Sequence, residues 1–166
     1  MMGIMTTTVD SSDSMPERLQ EGSAAPDFTL PAVIPGFTES GSINLSDVLD
    51  AGRRVVLYFY PAAMTPGCTT QAVDFSESLG SFTDAGYRVL GCSPDPVDKL
   101  AKFAERSNLG FTLLADPETT VLNAYGAWGP RKLYGKEIEG VLRSTFVIDV
   151  DADGKGIVRV AQYNVK

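Results

Sequence analysis

The chain has 166 residues, 43% of them apolar, which suits one compact domain of roughly 140 residues plus a tail. Its formal charge is −7 with the acidic residues scattered, which argues against nucleic acid or an anionic membrane as a partner. There is no histidine and there are two cysteines, which excludes imidazole-based hydrolases and proteases, imidazole metal or haem sites, and four-cysteine zinc or iron–sulfur sites.

Residues 1–22 are rich in Thr, Ser, Asp and Met without periodicity and read as a disordered tail ahead of a single domain over 23–166. That stretch has no basic start and no long apolar segment, so it does not read as a secretory signal. No apolar run approaches the ~20 residues of a membrane span. The cysteines lie 24 positions apart, unlike a secreted disulfide framework, so a cytoplasmic location is expected.

Structure is expected from Ala25. Asp27 to Leu30 alternates like a short strand, and Ser46 is a plausible cap for a short helix with Gly52 just past its end. Arg54 to Tyr60, RVVLYFY, is apolar on both faces and reads as a central, doubly covered strand. After Pro61, the residues Ala72, Phe75, Leu79 and Phe82 recur at helical spacing as far as Gly86. Tyr87 to Cys92 is the next buried strand, followed by a helix capped at Asp95-Pro96 that carries Leu100, Phe103 and Ala104. A strand over Phe111 to Ala115, a short helix over Glu118 to Tyr125, and a hairpin of Ser144–Val150 with Ile157–Tyr163 complete the chain. Strands alternating with helices and a closing hairpin predict an α/β fold with a mixed sheet.

In such sheets, sites lie beyond the carboxyl ends of the strands, and Cys68 sits just past one. Pro66-Gly67 makes a tight turn there and puts Cys68 in the first turn of the following helix. The free N–H groups and the positive dipole end of that turn favour a thiolate, the form that attacks electrophiles. Thr65 could place its hydroxyl beside the sulfur. On spacing alone, a small apolar residue filling a helix start is an equal reading of Cys68.

The segment VVLYFYPAAMTPGCTTQAVDF resembles the active-site segment of the bacterioferritin-comigratory-protein or PrxQ branch of the peroxiredoxins. Its Pro-x-x-x-Thr-x-x-Cys pattern (Pro61, Thr65, Cys68) is similar to the superfamily signature. Agreement continues in order through Gly22–Pro31, Val89–Asp95, Phe111–Asp116 and Arg143–Asp149. The resemblance implies a thioredoxin-like fold with a mixed central sheet flanked by helices. It implies thiol-dependent reduction of hydrogen peroxide and organic hydroperoxides through a sulfenic acid at Cys68, without cofactor or metal. It also implies that Arg143 reaches the site from a later strand, where a guanidinium would favour thiolate and hold a peroxide oxygen, and that Pro61 shapes the pocket. Thioredoxin or a low-molecular-weight thiol is the expected reductant, and a monomer the expected working unit.

The chain departs from the family in three places. Many PrxQ proteins carry a resolving cysteine where this chain has Val73, and another subgroup carries one at the position of Ala104. Cys92, at a position where the family has an aliphatic residue, is expected to be an inert core thiol rather than a resolving one. Relatives continue into a C-terminal helix beyond the position of Lys166. A chain cut short or lacking that helix is therefore expected, with the apolar surface it would cover left exposed.

Asp149-Val-Asp151-Ala-Asp153-Gly154 opens like a calcium loop, but its twelfth position is Val160 and a strand precedes it, so a hairpin turn is the better reading. Gly129 to Glu137 is no phosphate loop, because the spacing is wrong and Lys136 is not followed by Ser or Thr. Its basic residues could form a lid or partner surface. Trp128 and Tyr125 are expected to pack. Two other functions compete: a dithiol oxidoreductase, which would need a second cysteine where Gln71 stands, and a non-catalytic thiol-sensing module.

Overall fold

The computed structural model describes residues 19–35, 41–133 and 135–163. Most of the expected tail, residues 1–18, lies outside them. Leu19 to Gly22 lie along the far edge of the sheet, where the Leu19 N–H donates to the Tyr163 hydroxyl at 2.8 Å and the Gly22 N–H to the Val158 carbonyl at 2.8 Å.

The elements run β1 (Thr29–Val33), β2 (Gly41–Asn44), α1 (Leu45–Asp50), β3 (Arg54–Phe59), α2 (Pro66–Glu77), α3 (Leu79–Asp84), β4 (Tyr87–Ser93), α4 (Val97–Arg106), β5 (Thr112–Ala115), α5 (Thr120–Ala124), β6 (Trp128–Leu133), β7 (Lys136–Val141), β8 (Ser144–Val150) and β9 (Gly156–Tyr163). Seven strands form one sheet in the order β2-β1-β5-β4-β3-β8-β9. β3 runs parallel to β4 and β4 to β5, while β8 pairs antiparallel with β3. This is the mixed sheet that the strand and helix alternation predicts.

β3 is covered on both sides, as its unbroken apolar run requires. Val55, Leu57 and Phe59 face a core closed by Leu45, Val48 and Leu49 of α1 and by Val121 and Leu122 of α5. Val56, Tyr58 and Tyr60 face the opposite core, closed by Cys68 and Ala72 of α2 and by Leu100 and Phe103 of α4. The alternation of a strand thus divides the molecule into two cores with the sheet between them. β4 contributes to both, and Gly91 is glycine because a Cβ there would come within 2.9 Å of the Tyr58 ring.

Two local readings need correction, and one further segment forms strands that the sequence reading did not assign. The cap of α1 is Asn44 rather than Ser46: its side chain accepts the Asp47 N–H at 2.9 Å, and Gly52 follows the helix with φ at +91. The periodic stretch after Pro61 is two helices that meet at Ser78, whose backbone ends α2 and begins α3. The segment with the basic residues is a separate antiparallel pair, β6 with β7. The Asp149–Gly154 stretch ends β8 and then forms the turn to β9 from Asp151, whose Oδ1 accepts from the Asp153 and Lys155 N–H groups, both at 2.9 Å.

Burial holds the Cys92 thiol well above its usual 9.0, and the Tyr58, Tyr60 and Tyr125 phenols above their usual 10.0. The folded chain therefore keeps protons that the unfolded chain loses at high pH. The stability from these groups is complete below about pH 9 and falls as the pH climbs through 9 to 10 and beyond, by about 1.4 kcal/mol per unit for each proton withheld. Urea midpoints at about pH 8 and about pH 10.5 check this; the higher pH should give the clearly lower midpoint. Equal midpoints would refute it.

Candidate active site

The loop that leaves β3 at Pro61 carries Met64 in the left-handed region, φ 66, and enters α2 through Thr65. Thr65 is extended, φ −84 and ψ 155, and Pro66 follows at the first helical position, where its missing N–H costs nothing. Cys68 is then the third residue of the helix. The first helical bond runs from the Thr69 N–H to the Thr65 carbonyl at 2.8 Å, which leaves the Gly67 and Cys68 N–H groups at the open end of α2. Helix N-termini of this kind favour negative charge.

Arg143 lies between β7 and β8, 75 residues further along the chain. Its Nη2 donates to the Cys68 Sγ at 3.1 Å, and its Nη1 donates to the Gln71 Oε1 at 2.5 Å. One face of the fork thus meets the sulfur while the other is held by a side chain one turn further along the same helix. Gln71 escaped the sequence reading, although its i+3 spacing from Cys68 places it on the same helix face. Thr65, by contrast, donates its hydroxyl to the Ala62 carbonyl at 2.9 Å. The structure therefore brings Cys68 and Arg143 together with Gln71, and leaves Thr65 beside them with its proton committed elsewhere. Pro61 lies two residues past the end of β3 and is half-buried.

Cys68 is only 1% exposed and sits in the core that holds Tyr58, Tyr60 and Ala72. A groove of about 650 Å³ opens beside it, lined by Gly67, Gln71, Phe75, Phe82 and Arg143 among others. Its lining mixes the Arg143 guanidinium and the Asp74 carboxylate with the Phe75 and Phe82 rings, so it can admit a small molecule with a polar and an apolar end. Tyr58 stacks on Phe75 with ring centres 4.5 Å apart. Burial pushes its phenol up, the nearby Cys68 adds to this, and Arg143 works against it. That phenol stays neutral in the core behind the sulfur.

Cys92 lies elsewhere. It is fully buried, pairs with Phe59 and Leu114 in the sheet, and belongs to the opposite core with Leu90, Tyr125 and Phe146. Burial raises its thiol, with Asp116 adding to the effect. Val73 and Ala104 are partly buried against the core that holds Cys68. Among the described residues there is no cluster of His, Cys, Asp and Glu able to hold a metal, and no helix is long and apolar enough to cross a membrane.

A profile of the AhpC/TSA family matches residues 22–160. A Mycobacterium tuberculosis protein assigned as a peroxiredoxin is 52% identical over 149 residues, which are 90% of this chain and 88% of that protein. The peroxiredoxin Bcp of Escherichia coli is 43% identical over 137 residues, 82% of each chain. Among solved structures, the bacterioferritin comigratory protein of Xanthomonas campestris, described for its alkyl peroxide reduction activity, superposes with a TM-score of 0.69. It is 34% identical and covers 82% of both chains.

Proposed function

The chain belongs to the AhpC/TSA family and is a peroxiredoxin, a thiol-dependent peroxidase with a thioredoxin-like fold, and on that premise we propose that Cys68 is the residue that attacks the peroxide. The observation that carries the assignment is the 3.1 Å contact between the Arg143 guanidinium and the Cys68 sulfur at the open end of α2. Family membership removes the competing non-catalytic reading. The residue three after Cys68 is Gln71, which removes the dithiol one.

The Cys68 sulfur forms a bond to one peroxide oxygen as the O–O bond breaks. The second oxygen leaves with the bonding pair, takes a proton, and departs as water from hydrogen peroxide or as an alcohol from an organic hydroperoxide. Negative charge builds on that leaving oxygen, so fixed donors accelerate the step. Arg143 supplies a planar, charged donor, and the Gly67 and Cys68 N–H groups add two more. Thr65, its proton held by Ala62, offers an oxygen lone pair to the proton of the incoming peroxide. Pro61 bends the chain away from β3 and keeps water from the sulfur. The apolar part of the groove accommodates the carbon chain of an alkyl hydroperoxide.

The product is a sulfenic acid at Cys68. One outside thiol condenses with it, releasing water and leaving a mixed disulfide; a second thiol then frees Cys68. A thioredoxin-type protein or a small thiol fills this role in the cytoplasm, and the working unit is the monomeric domain of residues 23–166. Turnover of hydrogen peroxide with each reductant, followed by consumption of a second thiol per cycle, tests the scheme.

The two cysteines face opposite cores, and a disulfide needs their Cα atoms within about 7 Å with converging Cβ vectors. Stoichiometric peroxide should therefore leave Cys68 as sulfenic acid, advancing to sulfinic acid as peroxide rises. Non-reducing peptide mapping checks this, and a dominant Cys68–Cys92 peptide pair would refute it. Cys92→Ser should keep most of the turnover.

A further inference from the structure

We propose that Asp95 is a positioning residue for the peroxidase reaction, a latch that holds the loop before Cys68 in its closed, peroxide-reactive form; the proposal rests on Cys68 being the attacking residue. The loop from Pro61 to Thr65 has no regular structure to hold it, and Met64 within it adopts a left-handed conformation. A non-glycine residue keeps that conformation only where its surroundings impose it.

The Ala63 N–H donates to the Asp95 Oδ2 at 2.7 Å, and the Ser93 hydroxyl donates to the same oxygen at 2.9 Å. Lys99 of α4 meets the other oxygen, Oδ1, at 3.2 Å. The Asp95 N–H in turn donates to the Ser93 Oγ at 3.3 Å. One carboxylate thus gathers donors from the loop, from the end of β4 and from α4. Asp95 is 8% exposed, Ser93 is fully buried and Ala63 is 2% exposed. Hydrogen bonds to a buried carboxylate are among the stronger ones, and without it the Ala63 N–H would stay buried and unpaired.

Ala63 shares a core with Cys68, five residues further on. Its anchoring fixes where α2 begins, and so where the sulfur meets Arg143. At 1% exposure Cys68 can be reached by a small peroxide through the groove, but not by a thiol mounted on a protein. Reduction by such a partner requires the loop and the first turn of α2 to move aside. The strength of the Asp95 latch therefore sets the balance between a closed form that attacks peroxide and an open form that can be reduced.

The test compares reduced full-length wild type with Asp95→Ala and Asp95→Asn. The asparagine oxygen still accepts from Ala63 and Ser93, and the lost ion pair is with the exposed Lys99, where such pairs contribute little. Two rates are read: hydrogen peroxide attack by stopped flow, and Cys68 labelling by a maleimide carrying a bulky polymer, located by peptide mass spectrometry.

Asp95→Ala should lose about tenfold or more in the first rate and gain about tenfold in the second, while Asp95→Asn stays within about threefold of wild type in both. Unchanged rates in a folded Asp95→Ala would overturn the latch. So would slower attack without faster labelling, or an Asp95→Asn that behaves like the alanine variant. Hydrogen exchange in the wild type gives a second measurement if Asp95→Ala does not fold. The Ala63 amide should be protected, and exchange at the rate of an unstructured amide would overturn the proposal. Failure of the underlying assignment reads differently, because Cys68→Ser would then still consume peroxide and the latch would fall with it.

Discussion

Cys68→Ser should abolish peroxide turnover, with a fall of about 10⁴-fold or more in the rate of peroxide consumption. Sulfur to oxygen is a change of one atom and keeps the shape of the buried site, so the fold should survive, as a circular dichroism melt will confirm. What is lost is the nucleophile. A serine hydroxyl holds its proton at neutral pH, and no histidine exists in the chain to remove it. The guanidinium at 3.1 Å can stabilise an anion but cannot act as a base. Equal activity of the wild type and the serine variant would end the assignment of Cys68, while Cys92→Ser serves as the control for any general effect of thiol removal.

Arg143→Lys should slow peroxide attack by about 10²-fold while leaving the fold intact. The arginine divides its work between two partners, Sγ of Cys68 through Nη2 and Oε1 of Gln71 through Nη1. An ammonium keeps the charge but has no planar fork, so it must leave one partner or stand between them. Pre-steady-state rates of hydrogen peroxide attack measure the loss. Because the reduction of the sulfenic acid does not use the same geometry, the second-order rate with the outside thiol should change far less. A lysine variant with wild-type attack rates would separate Arg143 from the chemistry.

The parts of the fold that were legible in the sequence are those where local and long-range demands agree. RVVLYF is apolar at every position after its first, so it could only be a strand covered on both faces, and it became β3. Pro66-Gly67 marked the start of α2 and hence the place of Cys68. The β6–β7 pair was hidden because Trp128-Gly-Pro-Arg-Lys-Leu has no alternation, and Pro130 reads as a break. Its strands pair with each other in a small separate sheet rather than adding to the main one.

The change from α2 to α3 was hidden for the opposite reason, since the apolar spacing runs through Ser78 and only the backbone there departs. In the site, nothing local announces that Arg143 lies against a cysteine 75 residues earlier. Only the resemblance to a family pointed to it. Gln71 and Asp95 hold others in place rather than react, so their roles emerge only once their partners are located.

The sheet between Cys68 and Cys92 also bears on timing. An enzyme that closes an internal disulfide clears its sulfenic acid at a rate independent of what surrounds it, although the disulfide itself still awaits an outside reductant. With the second thiol walled off in the other core, the lifetime of the sulfenic acid scales inversely with the concentration of the thiol that comes to meet it. The steady-state fraction of oxidised protein is then a ratio of two fluxes, peroxide arriving and thiol arriving. When thiol supply is low, a second peroxide finds the sulfenic acid first and carries it to the sulfinic acid, which ordinary thiols do not reverse.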